Sequence, residues 1–531
     1  MECSVTGSID LKKLDKFDVK LFELLYAQTE TKTKTEVSQK EIDEVKEWLE
    51  VSKTSQKLTN PMVQLFDKLK SIKETHGATP EDIGIDKDEL YLMAMKHKST
   101  DEHSVSIGGR VYSALPIAKT ANERVADYIK NHKKDAPSGF DLQDQIKENR
   151  RKIQAKLNMS DEDWDSYSGQ IKYAITSGEQ LAEILDIPQK LIDDIQRVVG
   201  VFRMRISPYY ASLIIPGQVN DPILIQSVPT GDMIDNKGIN IEPVASDHSP
   251  ARLIDQFYPR VLTIKATNMC AMFCTYCLRL DHISDKDWVS SKNTYEEALD
   301  YIRSNENVRD VLITGGDALA LSNKRLEYLF EELDKIPHVK IKRIGSRIPV
   351  MTPQRIDDKF LEICAKSNAI KPLRFVTQIN TVQEITPEVH EAFYKLSKVT
   401  SAILNQAVLL RGVNDTQNKM WKLVELLQES YIRPYYLFNC SFRNPEFGHL
   451  RVPISVGRDL IESMYGNIAG DAIPRYLATA GGKIPLHRDN VAQINEGGDY
   501  ILRKPWSGEE VPYPDMSMEE YKKPLSFDKY K

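Results

Sequence analysis

Cysteine, long apolar runs and a strong excess of charge of one sign are all scarce in this sequence. No run of about eighteen apolar residues occurs, so no membrane-spanning helix is predicted. The first residues, MECSVTGSIDLKKLDKFD, contain no apolar stretch of the kind that a secretory signal needs. The net charge is −6 with both signs mixed, and no basic stripe is interleaved with aromatic residues. We therefore expect a cytoplasmic protein that binds neither nucleic acid nor a membrane.

Only six cysteines occur in 531 residues, and their distribution is uneven. Three are scattered along the chain, and the other three stand within the segment CAMFCTYC at 270–277. This spacing is not that of a disulfide framework, so it predicts free thiols in a reducing compartment. The clustered thiols are the first candidate for chemistry.

The first 150 residues differ in texture from the rest of the chain. They are rich in Lys, Glu and Asp and carry helical patterns, for example NPMVQLFDKLKSIKETHG at 60–77. Within it, Asn60 is a predicted N-cap, Pro61 takes the first helical position and Gly77 ends the helix. We expect residues 1–150 to form a helical N-terminal extension.

From about residue 260, short apolar segments alternate with amphipathic helical segments. RVLTIKAT (260–267) and LRFVTQIN (373–380) predict strands, and PEVHEAFYKLSKV (387–399) predicts one of the helices between them. About six such units in a row favour an α/β barrel or partial barrel over an open sheet. Glycine-rich or polar segments follow several strands and should meet at the C-terminal mouth of the barrel. These segments are CAMFCTYC (270–277), GGD (315–317), GSR (345–347) and NCS (439–441).

The thiols of Cys270, Cys274 and Cys277 follow the first of these strands in CxxxCxxC spacing. A structural zinc site normally takes four protein ligands, and His282 offers a poorly spaced fourth. A disulfide would leave one thiol over. A 4Fe–4S cluster held by three cysteines leaves one iron open for a substrate or cofactor. The spacing resembles that of radical SAM enzymes, although zinc and coincidence remain alternatives.

The segment VLITGGDAL (311–319) follows one βα unit later, and further segments extend the pattern. They are RISPYYASLI (205–214), NDPILIQSVPT (220–230), RIGSRIPV (343–350), NQAVLLRGVND (405–415), RPYY (433–436) and AGGKIPL (480–486). In this order they resemble the lysine 2,3-aminomutase family of radical SAM, pyridoxal-phosphate-dependent enzymes, from about residue 164 to about 515.

The resemblance implies a fold class and a division of the chain. The expected fold is an α/β fold with a radical SAM partial (β/α)6-type barrel and a largely helical N-terminal region. Residues 151–255 would be the family's N-terminal helical segment, 256–490 the barrel and 491–531 a C-terminal segment.

The resemblance also implies three cofactors: a [4Fe–4S] cluster on the three cysteines, S-adenosyl-L-methionine (SAM) and pyridoxal 5′-phosphate. Lys483, in the glycine-rich loop AGGKIPL, would be the catalytic lysine that forms the Schiff base with pyridoxal phosphate. By residue type alone, Lys483 reads as a solvated loop lysine. Tyr258, Arg260 and Tyr435 correspond to contacts of the cofactor phosphate, although Arg260 stands one residue further from Cys270 than in the family.

SAM contacts are expected at the mouth of the barrel. Gly315, Gly316 and Asp317 would receive the ammonium of its methionine part, since a glycine pair lets the backbone approach a ligand closely. Further contacts lie at strand ends, where barrel packing is the alternative role. These are Ser346, Gln378, Asn405 and Gln406.

The substrate-binding residues imply an amino acid other than lysine. Arg279 matches the arginine that grips the substrate α-carboxylate in the family. Ser441 and Tyr476 stand where lysine-specific members carry the two aspartates that hold the side-chain ammonium. With Arg443 nearby, we expect a glutamate-like or neutral side chain, although Arg443 also reads as a solvated loop arginine. Members with a structural zinc carry C-terminal cysteines, and none follows Cys440, so no zinc is expected.

The expected enzyme moves the α-amino group of an L-amino acid to Cβ and so makes a β-amino acid. A reductant such as flavodoxin or ferredoxin and assembly into a homo-oligomer are expected as well. Lysine as the substrate, a radical SAM enzyme that does not use pyridoxal phosphate, and a non-enzymatic iron–sulfur or zinc module are the alternatives.

Overall fold

The computed structural model describes residues 35–54, 60–86, 89–90, 121–236, 249–280, 286–442 and 445–531. The chain divides into two compact units, Met1–Ala126 and Asp127–Lys531. Within the described ranges, no helix is both long and apolar enough to cross a membrane. The finer four-part division made from the sequence stays a prediction.

In the described part of the N-terminal unit, the helices Gln39–Thr54 and Asn60–His76 pack on each other. Their apolar stripes form a small core that includes Val45, Leu65 and Leu69. Gly77 ends the second helix in the left-handed conformation, with φ 63°. The predicted helix at 60–77 and its stop are therefore confirmed.

A helical segment precedes the sheet in the second unit. Residues 127–135 are helical, and the further helices are Gln143–Leu157, Asp161–Trp164, Tyr167–Lys172, Gly178–Ile184, Gln189–Val199, Pro208–Ser212, Pro222–Ser227 and Gly231–Asp235. Several have a side chain that caps the first turn; for example, the side chain of Ser160 accepts a hydrogen bond from Asp163 N–H. The helix Gln189–Val199 buries one apolar stripe, so it packs against its neighbours on one face.

A nine-stranded sheet, ordered β1 to β9 as in the chain, forms the centre of this unit. β2 to β8 run parallel, and β1 and β9 pair antiparallel at the two edges. The strands are β1 (Ile254–Tyr258), β2 (Val261–Thr267), β3 (Asp310–Gly315), β4 (Ile341–Gly345), β5 (Leu373–Thr377), β6 (Ala402–Leu409), β7 (Arg433–Asn439), β8 (Arg475–Thr479) and β9 (Lys483–Pro485).

Helices connect the parallel strands, as crossover connections require. They are Lys292–Ser304, Asn323–Lys335, Ile348–Met351, Asp358–Ile370, Pro387–Val399, Gln417–Glu429 and Ile454–Met464. The predicted α/β alternation is confirmed, and the sheet has the curled form of a half-barrel. Because the parallel strands all point the same way, the loops after them lie at one end.

The two edge strands of the sheet, β1 and β9, are in contact at Tyr258 and Lys483. The backbone N–H of Lys483 on β9 donates to the hydroxyl of Tyr258 on β1 at 2.8 Å. Trp506 packs edge-on against Tyr258, with ring centroids 6.1 Å apart. Trp506 connects two strands of a separate three-stranded antiparallel sheet, formed by β10 (Val491–Ile494), β11 (Tyr500–Arg503) and β12 (Glu510–Tyr513). The last α-helix is Met518–Tyr521, and a 3₁₀ helix, Ser526–Tyr530, follows it.

Candidate active site

The loops after β2 and β3 are bound directly to each other at the C-terminal end of the sheet. Gly316 N–H donates to Thr267 O at 2.5 Å, and Asp317 N–H donates to Met269 O at 2.7 Å. Gly315 has φ +130°, and a Cβ at Gly316 would collide with the carbonyl of Met269. The glycine pair thus allows the β3 loop to lie against the backbone that leads into the cysteines.

Asp317 joins this pair of loops to the loop after β4. Its buried carboxylate accepts hydrogen bonds from Ser346 Oγ at 2.6 Å and from the N–H groups of Arg347 and Ile348 at 2.7 and 3.0 Å. Burial raises the pKa of Asp317, while these hydrogen bonds lower it. Asp317 and Ser346 therefore hold the loops together, and their assignment as SAM contacts stays a prediction.

None of the three clustered cysteines forms a disulfide, and all three are partly exposed. Burial raises the pKa of Cys270 well above its ordinary value, and the charges of Asp317, Cys277 and Cys274 add to the effect, so the thiols lie near one another. Across the described residues, no three His, Cys, Asp or Glu side chains are gathered around a point that could hold a metal ion. The donor set still fits an iron–sulfur cluster, since three thiolates on one loop are its preferred ligands.

Arg347, in the loop after β4, was not among the predicted site residues. Its Nη1 donates to Sγ of Cys274 at 2.9 Å, and its Nη2 donates to Oε1 of Glu384 at 2.6 Å. Nη2 also contacts the hydroxyl of Tyr210 and Oε1 of Gln226, each at 3.0 Å. The signal was present in the sequence, because GSR follows a strand that ends at the same mouth as the cysteines.

A network of polar side chains binds the cysteine loop through the hydroxyl of Tyr276. Tyr276 OH donates to Gln378 Oε1 at 3.3 Å and accepts from Asn380 Nδ2 at 2.7 Å. Gln378 therefore lies beside the cysteine loop. Asn405 instead binds the backbone N–H and C=O of Ile379, at 2.8 and 2.9 Å, which joins two strand ends. Gln406 is partly exposed on β6.

Lys483 is the first residue of β9 and pairs with Thr479 of β8. The predicted loop position is thus wrong for the lysine itself, because a short antiparallel hairpin holds its backbone. Its Nζ lies 5.0 Å from the ring centroid of Tyr436 and 6.0 Å from that of Phe438, both on β7. Burial, helped by Arg343 and Arg279, lowers the pKa of Lys483 to about 8.

Two arginines accompany Lys483 in the barrel. Arg279 Nη1 donates to Thr314 Oγ1 at 3.2 Å and to Gly315 O at 3.0 Å, so the predicted carboxylate-binding arginine is fixed at the end of β3. Arg343 was not predicted; its Nε donates to Oδ1 of Asp310 on the neighbouring strand at 2.5 Å. Both guanidinium groups lower the pKa of Lys483. The site is therefore locally electropositive, which favours anionic ligands.

The predicted phosphate contacts separate into two groups. Tyr258 lies beside the backbone of Lys483, and Tyr435 donates to the hydroxyl of Tyr436 at 2.7 Å. Arg260 is exposed in the turn before β2, at the opposite end of that strand from the cysteines. The structure thus brings the tyrosines near Lys483 and leaves Arg260 on the surface.

The residues expected around the substrate side chain also differ in placement. Ser441 is buried directly after β7. Tyr476 packs its ring against Gly457 of the helix Ile454–Met464, and its hydroxyl accepts from Asn439 Nδ2 at 2.7 Å. The structure gives Tyr476 a packing role between sheet and helix, so its contact with substrate stays a prediction. Arg443 lies outside the described residues.

Known proteins resemble this chain over most of its length, although no protein-family model matches it. It is 36% identical to the glutamate 2,3-aminomutase of Clostridioides difficile over 414 residues, which are 77% of this chain and 96% of that protein. It is 37% identical to the L-lysine 2,3-aminomutase of Methanococcus maripaludis over 368 residues, 68% of this chain and 84% of that protein. The chain belongs to the lysine 2,3-aminomutase family. A further member, the L-lysine 2,3-aminomutase of Clostridium subterminale, is 34% identical over 69% of this chain.

Family membership confirms the resemblance seen in the sequence. As a member, the chain is an isomerase of the amino-acid 2,3-aminomutase class. The relatives' names differ in the amino acid, which leaves the substrate to be argued from the site itself.

Proposed function

We propose that this aminomutase uses an iron–sulfur cluster, SAM and pyridoxal phosphate to convert an L-amino acid with an anionic or neutral side chain, most simply glutamate, into its β-isomer. The observation that carries the proposal is the positive charge gathered in the barrel. Arg279 and Arg343 both lie close enough to lower the pKa of Lys483, and among the described residues the carboxylate of Asp310 opposes them. A dianionic substrate and a phosphate suit such surroundings.

The residues present fit the cofactors. Cys270, Cys274 and Cys277 would hold the cluster, and Lys483 would hold pyridoxal phosphate. When bound, the cluster and SAM would supply radical chemistry and pyridoxal phosphate would supply a conjugated ring, while the residues named here would hold these groups in place. Substrate and product are isomers, so no net oxidant or reductant is consumed once the cluster has been reduced, by a protein such as flavodoxin or ferredoxin.

The chain's own residues bind and orient the substrate. Arg279 keeps guanidinium donors beyond those used for Thr314 and Gly315, and these can grip an α-carboxylate. Lys483 has a pKa of about 8, so a useful fraction of its amine is neutral and nucleophilic near neutral pH. The aromatic rings of Tyr436 and Phe438 shield this amine from water.

The expected loss of lysine recognition follows from residue chemistry. The two positions that carry aspartates in lysine-specific members are Ser441 and Tyr476 here, so neither offers a charge to an ammonium. Hydrogen bonds to charged groups contribute about 1.5–3 kcal/mol each. Losing both should therefore weaken lysine binding by several orders of magnitude unless another carboxylate substitutes.

The test is a substrate survey with the full-length chain. The protein is reconstituted anaerobically with iron, sulfide and pyridoxal phosphate, reduced, given SAM and single amino acids, and analysed for β-amino acids by mass spectrometry. We expect β-glutamate or a neutral β-amino acid. Lys483→Ala should abolish the product, and Lys359→Ala, on an exposed helix face, should not. Product formed by Lys483→Ala at the parent rate would favour a radical SAM enzyme that works without pyridoxal phosphate.

Lysine is the second candidate, because relatives named L-lysine 2,3-aminomutase are as similar as the glutamate enzyme. A survey that yields only β-lysine would keep the reaction and overturn the argument from Ser441 and Tyr476. We also propose that the enzyme works in the cytoplasm and forms a homo-oligomer. Sedimentation of the reconstituted protein would test the oligomeric state.

A further inference from the structure

Arg347 places a permanent positive charge against one of the clustered thiols. Its Nη1 is 2.9 Å from Sγ of Cys274, and its side chain is 6% exposed. A guanidinium does not lose its proton at any pH at which proteins fold. The thiol of Cys274 therefore has a charged hydrogen-bond donor beside it at every pH at which the protein is folded.

Hydrogen bonds fix both the backbone and the guanidinium of Arg347. Its backbone N–H is bound by Asp317 at 2.7 Å, and its guanidinium by Glu384 at 2.6 Å. The second oxygen of Glu384 accepts the N–H groups of Asn380 and Thr381 at 2.7 and 3.0 Å. Glu384 is thus a saturated acceptor on the loop after β5, and it aims the guanidinium at the cysteine loop.

One donor of this guanidinium is not used by the protein. Among the described residues, the buried Nε of Arg347 has no hydrogen-bond partner. A buried unpaired donor is costly, and a buried ion pair adds little stability by itself. Both costs are accounted for if the guanidinium serves a ligand that accepts from it, and cluster sulfur is such an acceptor.

We propose that Arg347 is a positioning residue of the iron–sulfur centre and that it raises the reduction potential of a cluster held by Cys270, Cys274 and Cys277. The inference rests on the proposed function, since it requires that cluster. Hydrogen bonds to ligand sulfur and nearby positive charge favour the reduced cluster, which carries one more negative charge. Arg347 thereby makes the electron needed to cleave SAM easier to deliver.

The decisive pair of variants removes charges of opposite sign and leaves a neutral glutamine in each place. The full-length chain, loaded with iron and sulfide and without SAM, is titrated with a reductant while the reduced cluster is followed by electron paramagnetic resonance. Arg347→Gln should lower the potential, so that the ratio of reduced to oxidised cluster at the parent midpoint falls at least tenfold, which corresponds to about 59 mV for one electron. Glu384→Gln should shift it the other way by a smaller amount, because that carboxylate is further from the sulfur.

A buried cation on β4, the strand that precedes the loop of Arg347, provides the matched control. Lys342 is fully buried on β4 and contacts Asp334 and Ser367 behind the sheet. Lys342→Met should leave the potential of the cluster unchanged, although it removes a buried charge in the same way. If Arg347→Gln does not fold, the double variant Arg347→Gln, Glu384→Gln removes both charges, and its potential should still lie below that of the parent.

The outcomes separate this inference from the proposed function. A parent chain that binds no four-iron cluster would defeat both. A parent with a cluster whose potential is the same in Arg347→Gln, or in the double variant, would overturn the role of Arg347 and leave the aminomutase proposal standing. Shifts of opposite sign in the two single variants, with none in Lys342→Met, would support it.

Discussion

At the scale of single residues, Lys483 has chemistry that depends on pH. Burial, Arg343 and Arg279 lower the pKa of its amine from 10.5 to about 8. An amine attacks an aldehyde only when neutral, so reactivity is present above pH 8 and is lost as the pH falls through it. We expect the rate at which the chain takes up pyridoxal phosphate, followed by absorbance, to rise with a midpoint near pH 8.

Substitution of Arg279 tests the cause of this shift. Arg279→Gln removes one of the two cations that lower the pKa of Lys483, so the midpoint should move to higher pH. Arg279→Lys keeps the charge and should leave the midpoint near that of the parent. A parent midpoint close to that of a free lysine would show that the amine is not in the surroundings described here.

At the scale of elements, the approach of the β3 loop to the cysteine loop depends on Gly316. Gly316→Ala would place Cβ against the carbonyl of Met269, so the backbone that leads into Cys270 must move. We expect at least a several-fold loss of bound iron per chain after reconstitution, measured colorimetrically. Gly200→Ala is the control, because a Cβ there meets nothing within 4 Å. Full iron content in Gly316→Ala would show that the loop tolerates the displacement.

Among the helices and strands, some can be predicted from the local sequence pattern and others cannot. Strands such as 260–267 and helices such as 387–399 were found because their apolar periodicity is sustained over a full element. β1 and β9 were missed because they are short antiparallel edge strands, and β9 has three residues including a proline. Such elements form because neighbouring strands offer hydrogen bonds, which a local pattern does not contain.

At the scale of the whole molecule, the sequence predicts site residues that stand in recognisable segments. It does not predict contacts that depend on how the strands pair. Lys483 and the three cysteines stand in recognisable segments. Arg343 reaches Asp310 only because β3 and β4 pair in one register. Arg347, in the loop after β4, contacts Cys274, in the loop after β2. Tyr476 of β8 packs against the neighbouring helix because that helix has Gly457 at the contact. These contacts follow from tertiary packing.

The two-unit division gives a prediction for the whole chain. All described candidate site residues lie in Asp127–Lys531, which has its own sheet and core. A chain that begins at residue 121 should fold, with the parent melting transition of the barrel, and should make the β-amino acid at a rate close to that of the full chain, because it keeps every described candidate site residue.

A much shorter deletion at the other end should do more harm. Residues after 517 are bound to the helical segment before the sheet: Asp528 accepts from Asn220 at 2.7 Å, and the carbonyl of Lys529 accepts from Lys190 at 2.7 Å. Phe527 is fully buried as well, and burying a phenylalanine contributes about 1.5–3 kcal/mol. Removal of 518–531 should therefore lower the melting temperature by several degrees, measured by circular dichroism. A barrel destabilised by the N-terminal deletion and unaffected by the C-terminal one would reverse this assignment of stability.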